Sequence, residues 1–146
     1  MNRVSMSAEE VPLPLYKNKA QSYVLRILDY LEKDYWDVSV LFCGNRRITE
    51  LNTQYRKKNE ATDVLSFTLG EERRGRYIAG DIVISLETME ENAAYYGVSP
   101  DEELRRLLIH CILHLDSMDH ETNEADEPML QLQEKILSEL TGENIL

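Results

Sequence analysis

Residues 99–115, SPDEELRRLLIHCILHL, read as a helix with both ends marked. Ser99 is a natural N-cap, Pro100 suits the first helical position, and Glu102 stands where a capping box needs an acid. Leu104, Leu107, Leu108, Cys111, Ile112 and Leu115 fall on one stripe at 100° per residue, a face that must be buried. His110 and His114 flank that stripe one turn apart, so their rings point the same way.

On either side of this helix the chain alternates helix and strand signals. Residues 17–33 form an amphipathic pattern, with Ala20, Val24, Leu25, Ile27, Leu28 and Leu31 on the apolar side. Residues 38–43 (VSVLFC), 63–68 (DVLSFT) and 81–86 (DIVISL) are short, apolar and rich in β-formers, as strands are. NRVSMS at the N-terminus adds a fourth strand, and ITELNTQYRK at 48–57 a helix. LGEERRGRYIAG between the second and third apolar strands is polar and turn-like. Further helices are expected at 87–97 and 127–140. The expected fold is α+β: a single domain over 1–146, with one small mixed sheet of about four strands and about five helices.

The chain has three histidines, His110, His114 and His120, in the pattern H-x3-H-x5-H. Two ligands on one helical face and a third after a turn can meet on one metal. Zinc suits neutral imidazoles, and three protein ligands leave a fourth position for water, which is the catalytic arrangement. The expected site therefore lies at the helix end and the turn after it, with one Zn²⁺ per chain. The spacing matches the metzincin motif H-E-x-x-H-x-x-G-x-x-H, but Cys111 stands where that motif has its general-base Glu, and Ser117 where it has Gly. The metal geometry carries over; the protease chemistry does not.

A different family shares more of the chain. Over residues 37–140 the sequence resembles the YbeY family of bacterial rRNA-maturation endoribonucleases. The likeness rests on Leu51-Asn-x-x-Tyr55-Arg56, Thr62-Asp-Val-Leu-Ser-Phe67, Gly80-Asp-Ile-Val-Ile-Ser85 and a histidine run close to H-G-x-L-H-L-x-G-Y-D-H. Cys111, Ser117 and Met118 depart from Gly, Gly and Tyr. The resemblance implies a zinc-containing α+β fold and cleavage of single-stranded RNA, with roles in 16S rRNA 3′-end maturation and ribosome quality control. It implies His110, His114 and His120 as ligands, with His114 catalytic, and Arg56 as the functional arginine near the metal. Lys57 and Lys58 extend Arg56 as substrate-binding cations. If the turn at Ser117 needs a positive φ, a non-glycine residue there costs roughly 1–2 kcal/mol.

Arg56 has two readings from the residues themselves. A guanidinium can hold two phosphate oxygens and offset charge developing during phosphodiester cleavage. A cation ending a helix also offsets the helix dipole. Thr62, Asp63 and Ser66 either orient the site or face outward from a strand; Asp119 and Glu121 are either partners of a ligand histidine or solvated.

The formal charge is −11, which excludes a general nucleic-acid coat. It is unevenly placed: residues 46–76 carry eight basic side chains against five acidic, whereas residues 101–146 carry twelve acidic against three basic. The basic segment is either a surface for a polyanion or a solvated face. Cys43 and Cys111 read as buried, reduced thiols. With no signal-peptide run and no membrane-length apolar stretch, the expected compartment is the cytoplasm. The expected partners are a single-stranded rRNA precursor and the small ribosomal subunit, not DNA or membrane. The rival readings are a metal-dependent hydrolase of another substrate such as a peptide, and a non-catalytic ribosome assembly factor with structural zinc.

Overall fold

The computed structural model describes residues 1–117, 127–142 and 145–146. In chain order the elements are β1 (Arg3–Ala8), α1 (Lys17–Tyr30), β2 (Trp36–Cys43), α2 (Asn45–Arg56), β3 (Val64–Arg73), β4 (Arg76–Ser85), α3 (Leu86–Tyr96), α4 (Pro100–Leu115) and α5 (Pro128–Glu139). The sheet runs β1-β2-β4-β3. β1, β2 and β4 are parallel, and β3 closes one edge antiparallel to β4. The expected α+β architecture is what the chain adopts.

Alternation along the strands gives the sheet two apolar faces. Val38, Val40 and Phe42 of β2 and Ile82 and Ile84 of β4 point into the main core, where α1, α4 and α5 meet them. Leu41 and Cys43, Val83, Leu65 and Phe67 point the other way, onto Ile48 and Leu51 of α2. The second face is only partly covered by α2.

α4 is the central helix. The stripe expected from the sequence is buried, but so are Ile109 and Leu113 on the opposite side. A helix apolar all round is one enclosed by the fold. Its cap is half of the expected box: Ser99 Oγ accepts from the Glu102 N–H at 3.0 Å, while the Glu102 carboxylate takes Arg106 instead.

The expected turn-like segment at 69–80 is instead the two arms of a hairpin. β3 and β4 each run ten residues and turn at Arg74-Gly75, both with positive φ (51° and 79°). Two consecutive positive-φ residues are the geometry of the tight hairpin turn whose twist matches its strands. The arms read as polar because Glu71, Glu72 and Arg73 are exposed. Between Thr68 and Glu71 the register slips, and Gly80 sits opposite the slip with φ 148°. A Cβ there would run into the Phe67 carbonyl, so only glycine passes. The other differences are small. α1 stops at Tyr30, not 33, because Glu32 turns to φ 58° and the Lys33 N–H folds back to the Leu28 carbonyl. α2 begins at Asn45, whose Oδ1 accepts from Ser85 and Thr88 and ties the helix start to α3.

Candidate metal and phosphate site

The end of α4 brings His110 and His114 together. Both are half-buried, and their Nε2 atoms face each other 3.1 Å apart. His110 Nδ1 lies 2.7 Å from Gln133 Oε1 on α5, and Gln133 Nε2 donates to Glu134 at 3.1 Å. That second bond fixes the amide: its oxygen faces the imidazole, so Nδ1 is the protonated nitrogen. The His110 Nε2 lone pair is therefore free of its own proton and aimed at His114.

This donor set fits zinc. Two nitrogens bound to one tetrahedral zinc at 2.0–2.1 Å lie roughly 3.3–3.4 Å apart, close to the spacing observed. A carbonyl oxygen on the far nitrogen of a ligand histidine is the usual orienting contact around such metals. His120, the third expected ligand, lies outside the described residues, as do Asp119 and Glu121. Among the described residues no three His, Cys, Asp or Glu side chains converge as a metal cluster. His110 and His114 are the two described positions of the expected triad.

Gln133 was not singled out in the sequence. Its signal was nonetheless there: it occupies the inward stripe of α5 with Met129, Ile136 and Leu137, and is 6% exposed. A polar amide in an apolar stripe needs an inside partner.

Cys111 is fully buried between the histidines' turns, and burial pushes its thiol up to about 12. It is a packed, protonated thiol and no substitute for a carboxylate base. Cys43 is also buried and reduced. Ser117 has φ 64°, so the turn leaving α4 does use the left-handed region where the family motif has glycine.

Arg56 is the last residue of α2, exposed, and close enough to α4 for its charge to act on the Cys111 thiol. Lys57 closes the helix at φ 58°, and Lys58 follows. Asn52 holds this segment: it is buried, its Nδ2 donates to the Glu60 carbonyl at 3.0 Å, and its own carbonyl accepts from the Lys58 N–H. The basic segment is thereby resolved into two groups. Arg46, Arg47, Arg73 and Arg76 have carboxylate partners. Arg56, Lys57 and Lys58, and Arg74 at the tip of the hairpin, have none among the described residues.

Asp63 faces inward at the start of β3. Its carboxylate accepts from the Val64 N–H at 2.8 Å and from Asn92 at 3.2 Å. It shares a cavity of about 280 Å³ with His110, Gln133, Tyr96 and Arg106. Of the two readings for Asp63, positioning of the strand end beside the site is the one its contacts support. Ser66 reaches Cys111 from β3. Among the described residues no helix is long and apolar enough to cross a membrane.

Comparison with known proteins places the chain in a family. The family model described as endoribonuclease YbeY matches residues 4–141. The chain is 41% identical over 142 residues to a Treponema denticola protein named endoribonuclease YbeY, covering 93% of this chain and 92% of that one. An Aquifex aeolicus protein of the same name is 40% identical, covering 86% and 84%. The solution structure of TM1509 from Thermotoga maritima superposes with a TM-score of 0.66 at 29% identity, covering 93% of this chain and 87% of that one. The facing histidines, the cationic end of α2 and a match along nearly the whole length lead to one assignment: the chain belongs to the endoribonuclease YbeY family.

Proposed function

We propose that this protein is a zinc-dependent endoribonuclease that cuts single-stranded RNA, working in the cytoplasm on rRNA precursors at the small ribosomal subunit, in 16S rRNA 3′-end maturation and ribosome quality control. The observation that carries the reading is the His110–His114 pair, with Nε2 atoms 3.1 Å apart, in a chain of an endoribonuclease family. His110, His114 and His120 would hold the zinc. Zinc held by three imidazoles supplies a Lewis acid and lowers the pKa of a bound water to about 7.

The remaining work falls to the chain's own residues. Gln133 keeps the proton on His110 Nδ1 and so keeps Nε2 available. Arg56 grips two oxygens of the scissile phosphate and offsets the charge they gain as the bond breaks. Lys57 and Lys58 hold neighbouring phosphates as point charges. Cleavage products identify the attacking group: a 5′-phosphate marks water, a 2′,3′-cyclic phosphate the ribose 2′-OH.

The test is RNA cleavage by Arg56 variants. Arg56→Ala should keep the fold and the zinc and lose roughly 10²–10³-fold in kcat, the usual cost of one transition-state donor. Arg56→Lys should recover part of it, because a point charge does not reproduce the two-pronged contact. Normal cleavage by Arg56→Ala, or no cleavage of single-stranded RNA by the unaltered zinc-loaded protein, overturns the reading.

A further inference from the structure

The sheet face that α2 leaves uncovered holds a cavity of about 380 Å³. One wall is aromatic: the Tyr55 and Phe67 rings meet edge to face, centroids 5.1 Å apart and planes at 65°. Phe67 packs on the small core beneath α2. Core packing does not account for Tyr55, which is 59% exposed on the last turn of α2. Asp81 stands directly across the β3–β4 pair from Phe67, so both side chains project from the same face. Asp81 is exposed and has no hydrogen-bond or ion-pair partner among the described residues. The other acid lining the cavity, Glu9, is taken by Arg47 at 2.7 Å. Arg56, Lys57 and Lys58 follow Tyr55 directly in sequence, all three exposed at the end of α2.

We propose that this cavity is a nucleobase subsite, in which Tyr55, its ring braced edge to face by Phe67, stacks an unpaired base of single-stranded RNA and Asp81 accepts a hydrogen bond from that base's exocyclic amine. The inference rests on the RNA reading above for its class of ligand. Every base has a π-face, and an exposed aromatic beside a cationic track is how single strands are gripped without strict sequence readout. The volume lies within the range of small-molecule sites. The Asp81 charge repels phosphate and the Arg56–Lys58 cations next to Tyr55 attract it, so the base, not the backbone, turns toward Asp81. A carboxylate accepts from the cytosine amine; adenine carries an equivalent amine at N6, and uracil has none.

The test is the affinity of the full-length, as-purified protein for labelled 2′-O-methyl phosphorothioate oligo(A), oligo(C) and oligo(U), which resist cleavage. Tyr55→Ala should weaken binding of all three by about five- to a hundred-fold, the range for one lost stacking partner, with Tyr55→Phe restoring it and Tyr55→Leu not. Asp81→Ala should remove the preference for oligo(A) and oligo(C) over oligo(U) and leave oligo(U) binding intact. Unchanged affinity in Tyr55→Ala, full recovery in Tyr55→Leu, or failure of the unaltered protein to bind any of the three overturns the subsite. The two readings fail separately. Cleavage of RNA with Tyr55→Ala unimpaired removes the subsite alone; Tyr55-dependent binding without any cleavage removes the nuclease alone.

Discussion

α4 and α2 lie against opposite faces of one sheet and are held in different ways. α4 is enclosed by β3, α1, α3 and α5, and its sides are buried nearly all round; His110 and His114 are half-buried positions at its C-terminal end. α2 rests on one stripe, Ile48, Leu51 and Asn52, and its last turn stands in water. The difference suits what each would carry under the proposed function. Ligand atoms must be held to a fraction of an ångström, which needs a helix fixed on every side. Cations that meet a flexible polyanion need reach more than precision, and a helix end at the surface provides it.

The largest effects should separate the two helices by stability. Leu108→Ala opens a void in the fully enclosed core and should destabilise the fold by about 2–5 kcal/mol. Leu51→Ala, at the edge of the smaller core and 8% exposed, should fall at or below the low end of that range. Chemical denaturation of both variants measures the gap; equal losses would mean that α2 is built into the fold as firmly as α4.

Gln133→Leu removes precision at the end of α4 without removing packing. The imidazole loses the acceptor that fixes its tautomer, and zinc affinity should drop about 10–100-fold while the melting temperature changes little. Gln133→Glu, which keeps an acceptor oxygen, should retain most of the affinity. Competition with a chromophoric chelator reads both. An unchanged affinity in Gln133→Leu would make the 2.7 Å contact to His110 incidental.

The smallest effect should come from the turn that leaves α4. Ser117→Gly relieves a side chain at φ 64°, and part of that gain is offset by the freer unfolded chain. The net gain should be about 0.5–1 kcal/mol in thermal unfolding of the metal-free protein. A loss of stability would mean that the serine makes a compensating contact.

What could be read from the sequence followed the range of the forces involved. The limits of α4 and the histidine pair depend on neighbours within one or two turns, and the chain states them locally; the left-handed turn at Ser117 was open only as a condition set by the family's glycine, because a serine does not announce a positive φ. The hairpin arms at 69–80 did not announce themselves, because Glu71, Glu72 and Arg73 extend the strands away from any core and so carry no apolar alternation. The turn-forming Arg74-Gly75 pair and the bulge at Gly80 are explained only by the register with β4 and the Phe67 carbonyl. Gln133 needed α5 to be placed against α4 before its partner could be named. The basic character of residues 46–76 was legible as a sum, but the separation of its paired arginines from Arg56, Lys57 and Lys58 arises only in three dimensions.

Whether the α4 histidines hold zinc is read by elemental analysis with mass spectrometry. Protein purified without chelators and reloaded with zinc should carry about one zinc per chain, and His110→Ala, His114→Ala and His120→Ala should each lose most of it while an Arg56→Ala control keeps it. No zinc uptake by the unaltered protein, or full occupancy in His110→Ala and His114→Ala, would contradict the claim.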